Sequence, residues 1–135
     1  MDRRWINDTY KEIAEELIEN EPELEYIKES DARIIYLSSE DEKKAKGAVV
    51  YGTCEKVPER FKEWAIEGDY IITIYEPNTE GFTNEQIRIL LFHELLHIKI
   101  DCGVNSIQNH DLNDFKIIVD RFGVDWAEVE DGLDI

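Results

Sequence analysis

Basic residues are scarce in this sequence. Fifteen lysines and arginines stand against 32 aspartates and glutamates, a formal net charge of −17 at pH 7. A surface of that sign repels phosphate backbones, so direct nucleic-acid binding is not expected. Cysteine is scarcer: Cys54 and Cys102 are the only two, and they form no C-x-x-C pair. That excludes a zinc ribbon and a dithiol redox motif, and a disulfide is not expected in a reducing compartment. No apolar run approaches the roughly 18 residues that a membrane-spanning helix needs. The opening residues, MDRRWINDTYKEIAEELIEN, carry charges throughout and no apolar signal-peptide stretch, so a cytoplasmic protein is expected. Internal repeats, low-complexity segments and Pro/Gly-rich linkers are missing too. With 42% hydrophobic residues in 135, the chain reads as one domain, residues 1–135, long enough to bury a core.

What is present alternates between helical and extended patterns. Residues 8–20 place Tyr10, Ile13, Ala14, Leu17 and Ile18 at helical spacing, and Glu21-Pro22 breaks the run. A second short helix fits residues 22–29. ARIIYLSS (32–39) reads as a strand, SEDEKKAKG as a charged turn, and AVVYGTCEKV (48–57) as the partner strand of a hairpin. PERFKEWAIEG fits a short helix or a loop. DYIITIYEP (69–77) reads as a third strand, ended by Pro77. Phe82-Thr83-Asn84-Glu85-Gln86-Ile87 then combines a capping box (Thr83 with Gln86) and a hydrophobic staple (Phe82 with Ile87). A helix over 84–101 comes next, apolar around most of its circumference and therefore buried, with Gly103 as its stop. HDLNDFKIIVDRFG reads as the last helix, closed by Gly123. The expected class is α+β: a small, mainly antiparallel sheet of three or so strands packed with helices.

Histidine is the scarce residue that carries the chemistry. The chain has three, His93, His97 and His110, and all lie within one short window. His93-Glu94-Leu95-Leu96-His97 matches H-E-x-x-H. On a helix, residues four apart share a face, so two imidazoles can meet one metal ion. Glu94, rotated by about 100° from His93, can reach a water beside the ion without ligating it. A catalytic zinc site takes three protein ligands and leaves a fourth position open. His110 is the preferred third ligand, and Asp111 or Asp114 from the last helix is the alternative. The expected chemistry is hydrolysis of a peptide bond, with zinc acidifying a water and Glu94 as general base. Tyr51 and Tyr75 are possible oxyanion donors, although packing is the simpler role for both. Asp111 and Asp114 are candidates to orient the imidazoles, and Asp111 serves equally well as a helix cap. If the third strand or its neighbour is a free sheet edge, a peptide could add alongside it.

These residues resemble a known family. LLFHELLHIKID, then NHDLNDF, then RFGVDW is similar to the putative phage metallopeptidase family of phages and prophages. AEELIENEPELEYIKESDARIIYL, VVYGTCEKVPERF and DYIITIYEPN also resemble it, so nearly the whole chain is covered. The resemblance implies a minimal zincin-like metallopeptidase domain, with His93, His97 and His110 on zinc, Glu94 as catalytic base, and a peptide or protein as substrate. SprT-like metalloproteases are more distantly similar. Those often carry a zinc ribbon and basic DNA-binding regions, and this chain has neither. Two other readings start from different features. One is a metal-stabilised domain without catalysis. The other is an acidic interaction protein or nucleic-acid mimic, for which the charge is the motive.

Overall fold

The computed structural model describes residues 3–62, 68–101, 103–109, 115–123 and 125–127. A short exposed strand, β1 (Arg4–Ile6), leads into helix α1 (Asp8–Asn20). Asn7 caps that helix: its side-chain oxygen accepts from the Tyr10 amide at 3.1 Å. Glu21 turns extended before Pro22, which ends α1 and opens a 3-10 turn that runs into α2 (Glu25–Lys28). Next come β2 (Ile34–Ser39), a small hairpin of β3 (Lys44–Ala45) and β4 (Ala48–Val49), β5 (Gly52–Lys56), α3 (Glu59–Lys62) and β6 (Tyr70–Tyr75). A 3-10 turn over Glu76–Thr79 precedes α4 (Asn84–Leu96), and after it come β7 (Ile98–Asp101), β8 (Val104–Ile107) and α5 (Lys116–Phe122).

The main sheet has the order β1-β2-β6-β5. β1 with β2 and β5 with β6 are antiparallel, while β2 and β6 run parallel from Ile34↔Tyr70 to Ser39↔Tyr75. The class is α+β and the sheet mainly antiparallel, as the sequence led one to expect. The pairing differs. The segments 32–39 and 48–57 do not form a hairpin with each other, because β6 lies between them. Composition gives the reason. YIITIY is buried along almost its whole length and suits a central strand, whereas GTCEK, with a glycine and two charges, tolerates the edge. The expected strand 48–57 is also split. The Val50 amide donates to Lys43 O at 3.1 Å, and the Asn78 side chain donates to Lys43 O and Val50 O at 3.0 and 2.7 Å. These bonds turn β4 back onto β3, inside the stretch expected to be only a charged turn.

α1 and α4 cover one face of this sheet. Tyr36, Tyr70, Ile72 and Ile74 meet Ala14, Leu17, Leu91 and Leu95 in a single core that also takes in Leu24, Ile98, Phe115 and Ile118. α4 ends earlier than expected, at Leu96. Residues 98–101 alternate buried Ile98, exposed Lys99, half-buried Ile100 and exposed Asp101, which is the period of a strand. They pair with β8 from Ile98↔Ile107 to Asp101↔Val104. Gly103 therefore serves this hairpin turn, at φ +79, rather than a helix end. α5 is closed at Gly123, whose amide donates to Val119 O at 2.9 Å. Among the described residues no helix is long and apolar enough to cross a membrane.

Candidate metal centre

The helix that carries H-E-x-x-H begins with both halves of its capping box in place. Thr83 Oγ1 accepts from the Gln86 amide at 3.1 Å, and Gln86 Oε1 accepts from the Thr83 amide at 2.8 Å. Phe82 and Ile87 both pack against the core. From there α4 buries Ile89, Leu90, Leu91, Phe92, Leu95 and Leu96, so its direction is fixed on nearly every side.

His93 and His97 share one face, their ring centroids 5.2 Å apart. His93 Nε2 lies 3.9 Å from Glu94 Oε2. One donor atom from each of His93, Glu94 and His97 falls within 4.8 Å of the others, so the three could hold a metal ion together. The Glu94 residue is only 4% exposed and the His93 side chain 12%. Two imidazoles and a carboxylate are a donor set that suits zinc and related divalent ions.

The orientation of His97 is fixed from outside the helix. Its Nδ1 lies 2.8 Å from Gln108 O. A carbonyl can only accept, so this bond requires the proton on Nδ1 and leaves the Nε2 lone pair for a ligand. Gln108 itself is clamped onto the end of α4: its amide donates to His97 O at 2.7 Å and its side chain to Leu96 O at 2.5 Å. The β7–β8 hairpin thus returns the chain to the helix end two residues before position 110. Phe115 closes the same side, its ring 5.5 Å from His93 and 4.9 Å from His97. Trp126 flanks His93 at 6.2 Å.

Glu94 faces the edge strand. A Cβ placed on Gly52 would stand 3.4 Å from Glu94 Cγ, so the missing side chain leaves the carboxylate its space. Cys54 lies near it on β5. Burial first, then the Glu94 and Glu55 charges, push the Cys54 thiol well above its ordinary value and keep it neutral.

His93, Glu94 and His97 are therefore brought together. His110, Asp111 and Asp114, named from the sequence as third ligand or orienting groups, lie outside the described residues. Tyr75 is not at this site. Strand alternation turns it to the opposite face from Ile74, and its buried ring lies between Arg4 and Lys43. Tyr51 packs on Phe82 at 5.1 Å, which supports its packing role. Sequence reasoning missed Gly52, Gln108 and Trp126. Each acts through the tertiary fold, and no local pattern marks them.

A comparison of the chain with protein families matches the model described as "Putative phage metallopeptidase" over residues 3–134. No curated protein and no solved structure gives a match. The match spans almost every residue, including the helix with His93, Glu94 and His97, and the chain belongs to the putative phage metallopeptidase family.

Proposed function

We propose that this chain is a zinc-dependent peptide hydrolase acting as one zincin-like domain in the cytoplasm. In this reading His93, His97 and His110 hold the zinc and Glu94 is the general base. The observation that carries it is the convergence of the His93, Glu94 and His97 donors within 4.8 Å on a buried helix of a metallopeptidase-family chain. Zinc, when bound, would supply a Lewis acid that acidifies water and polarises a scissile carbonyl.

The remaining work falls to the protein. Gln108 O holds His97 in the tautomer whose Nε2 can ligate. Glu94, enclosed by β5 and α4, takes the proton of the attacking water and returns it to the departing amine. Its burial limits competing hydration, so the carboxylate acts in a low-dielectric setting. β5 ends the main sheet among the described residues, with Gly52 beside Glu94. A peptide added along that edge would lie within reach of the base.

Metal analysis and hydrolysis assays on the same preparations test this reading. The wild type should carry about one zinc per chain, the tetrahedral site's stoichiometry. Glu94→Gln should keep the zinc and lose about 10²–10⁴-fold in kcat/KM on a peptide that the wild type cleaves. His110→Ala should lose or weaken the zinc. A wild type that binds no zinc even after incubation with it would overturn the proposal. Zinc binding with equal hydrolysis by wild type and Glu94→Gln would make the ion structural.

A further inference from the structure

Three aromatic side chains run in series from the edge strand to the histidines. Tyr51, directly before β5, has its ring centroid 5.1 Å from Phe82. Phe82 lies 6.4 Å from Trp126, edge to face, and Trp126 lies 6.2 Å from His93. All three are half-buried and pack against the core. Trp126 is fixed by more than its ring, since Gln86 Nε2 donates to Trp126 O at 3.1 Å and ties this segment to the first turn of α4. Gln86 is the same residue that closes the capping box. The start of the helix and Trp126 are thus tied together by this bond. The proposed base also stands beside His93, its Oε2 3.9 Å from His93 Nε2.

A partly open apolar wall beside a polar reaction centre is what orients one substrate side chain. Aromatic rings meet another ring edge to face with extra affinity beyond area. We propose that Tyr51, Phe82 and Trp126 form the specificity subsite of this enzyme, with Trp126 its innermost residue, and that the subsite takes a large apolar, preferentially aromatic, side chain next to the scissile bond. The position favours this occupant on two grounds. The wall starts where the last strand of the sheet starts, so a peptide lying along β5 is carried past Tyr51. It ends beside His93, so a side chain stacked on Trp126 leaves its backbone near Glu94. This proposal rests on the peptidase reading above and adds the substrate class to it.

Matched fluorogenic peptides test it, with phenylalanine or alanine scanned through the positions either side of the cleaved bond, on zinc-loaded wild type and Trp126→Ala. The wild type should prefer phenylalanine at one position by about tenfold or more in kcat/KM, the scale of apolar-pocket discrimination. Trp126→Ala should bring that ratio close to one, mainly through the phenylalanine peptide, with zinc content unchanged. Trp126→Leu keeps an apolar filler should the alanine variant fail to fold, and should lower the ratio without abolishing it. An unchanged ratio in a folded, zinc-loaded variant, or no preference in the wild type, overturns the subsite. If nothing is cleaved, the peptidase reading fails while the subsite is still judged by binding. Zinc-loaded wild type titrated with the two peptides should then hold the phenylalanine peptide more tightly, and Trp126→Ala should not. Equal affinities would overturn the subsite as well.

Discussion

Gly52 has little to do with its own strand and much to do with Glu94. An added Cβ would stand 3.1 Å from Ile74 Cδ1, 3.2 Å from Thr73 O and 3.4 Å from Glu94 Cγ. The Ile74 methyl can rotate away, but the Thr73 carbonyl belongs to the central strand and cannot move far. Relief then needs a shift of the residue 52 backbone, and Glu94, in contact at 3.4 Å, feels that shift. Gly52→Ala should therefore keep its zinc and lose roughly tenfold or more in kcat/KM, because small misplacements of a catalytic group are costly. Full activity in that variant would show that Glu94 does not depend on this gap. Gln108 acts on the other side of the helix. Removing its side chain frees Leu96 O and loosens the carbonyl that holds His97 Nδ1. Gln108→Ala should weaken zinc affinity by about 10–100-fold, the usual scale for groups that orient a ligand, as read by competition with a chelator. At this scale the sequence was legible where the chemistry is local. Helical geometry alone puts positions 93 and 97 on one face with 94 beside them. Gly52 and Gln108 matter through contacts between distant stretches of chain, and no spacing rule reaches them.

The β7–β8 hairpin carries the chain from the end of α4 back to His97, and two tyrosines anchor it. The Tyr26 hydroxyl donates to Ile98 O, and the Tyr70 hydroxyl is 3.0 Å from both Lys99 O and Ser106 O, so its single proton serves one at a time. Burial first, then Tyr70 and Cys54, push the Tyr26 hydroxyl up from 10.0 to about 12. The folded chain thus prefers the neutral phenol more strongly than the unfolded chain does. Its contribution is complete below pH 10.0 and is lost as pH rises toward about 12. Tyr10 and Tyr36 shift further in the same direction, also chiefly by burial, so their contribution begins to fall in the same range and persists to higher pH. Resistance to urea should therefore weaken as pH is raised through that window. Tyr26→Phe should lose about 1 kcal/mol near neutral pH and show a shallower alkaline decline, and an unchanged decline would remove Tyr26 from this account. The hairpin was not legible beforehand because apolar residues continue past the helix end. Ile98 and Ile100 fit a buried helix as well as a strand, and only their alternation with Lys99 and Asp101 decides between them. α1 and the start of α4 were legible to within a residue, because the Tyr10–Ile18 spacing, Pro22 and the Thr83–Gln86 pair are local signals.

The whole molecule sets a field that no single site explains. With −17 net charge, basic partners are scarce, and ion pairs among the described residues join separate elements, as where Arg88 on α4 reaches Glu16 on α1 at 2.8 Å and Arg121 on α5 reaches Glu21 at 2.7 Å. Each is partly exposed and worth under about 1 kcal/mol, so packing rather than pairing holds the layers. The order of those layers was the least legible part. An α+β class follows from composition and periodicity, but β2 pairs in parallel with β6 across a long stretch of intervening chain, and a hairpin with the nearer segment satisfies the same local patterns. The excess of acid was legible from the start, and its expected effect on this proposed hydrolase is on encounter rather than chemistry. A negative surface attracts cationic peptides and repels anionic ones, with rate effects of about 10-fold or more at low ionic strength. Two peptides sharing one cleavable core, one flanked by lysines and the other by glutamates, separate this effect from the aromatic subsite. The lysine peptide should show the higher kcat/KM at low salt. Its advantage should shrink as NaCl rises toward about 0.5 M, where screening reaches only a few ångströms. The zinc content and the phenylalanine preference should not change with salt, since both depend on short-range contacts. A lysine advantage that persists at high salt would instead place a specific acidic contact next to the cleaved bond, and no advantage at any salt would leave the charge a matter of solubility alone.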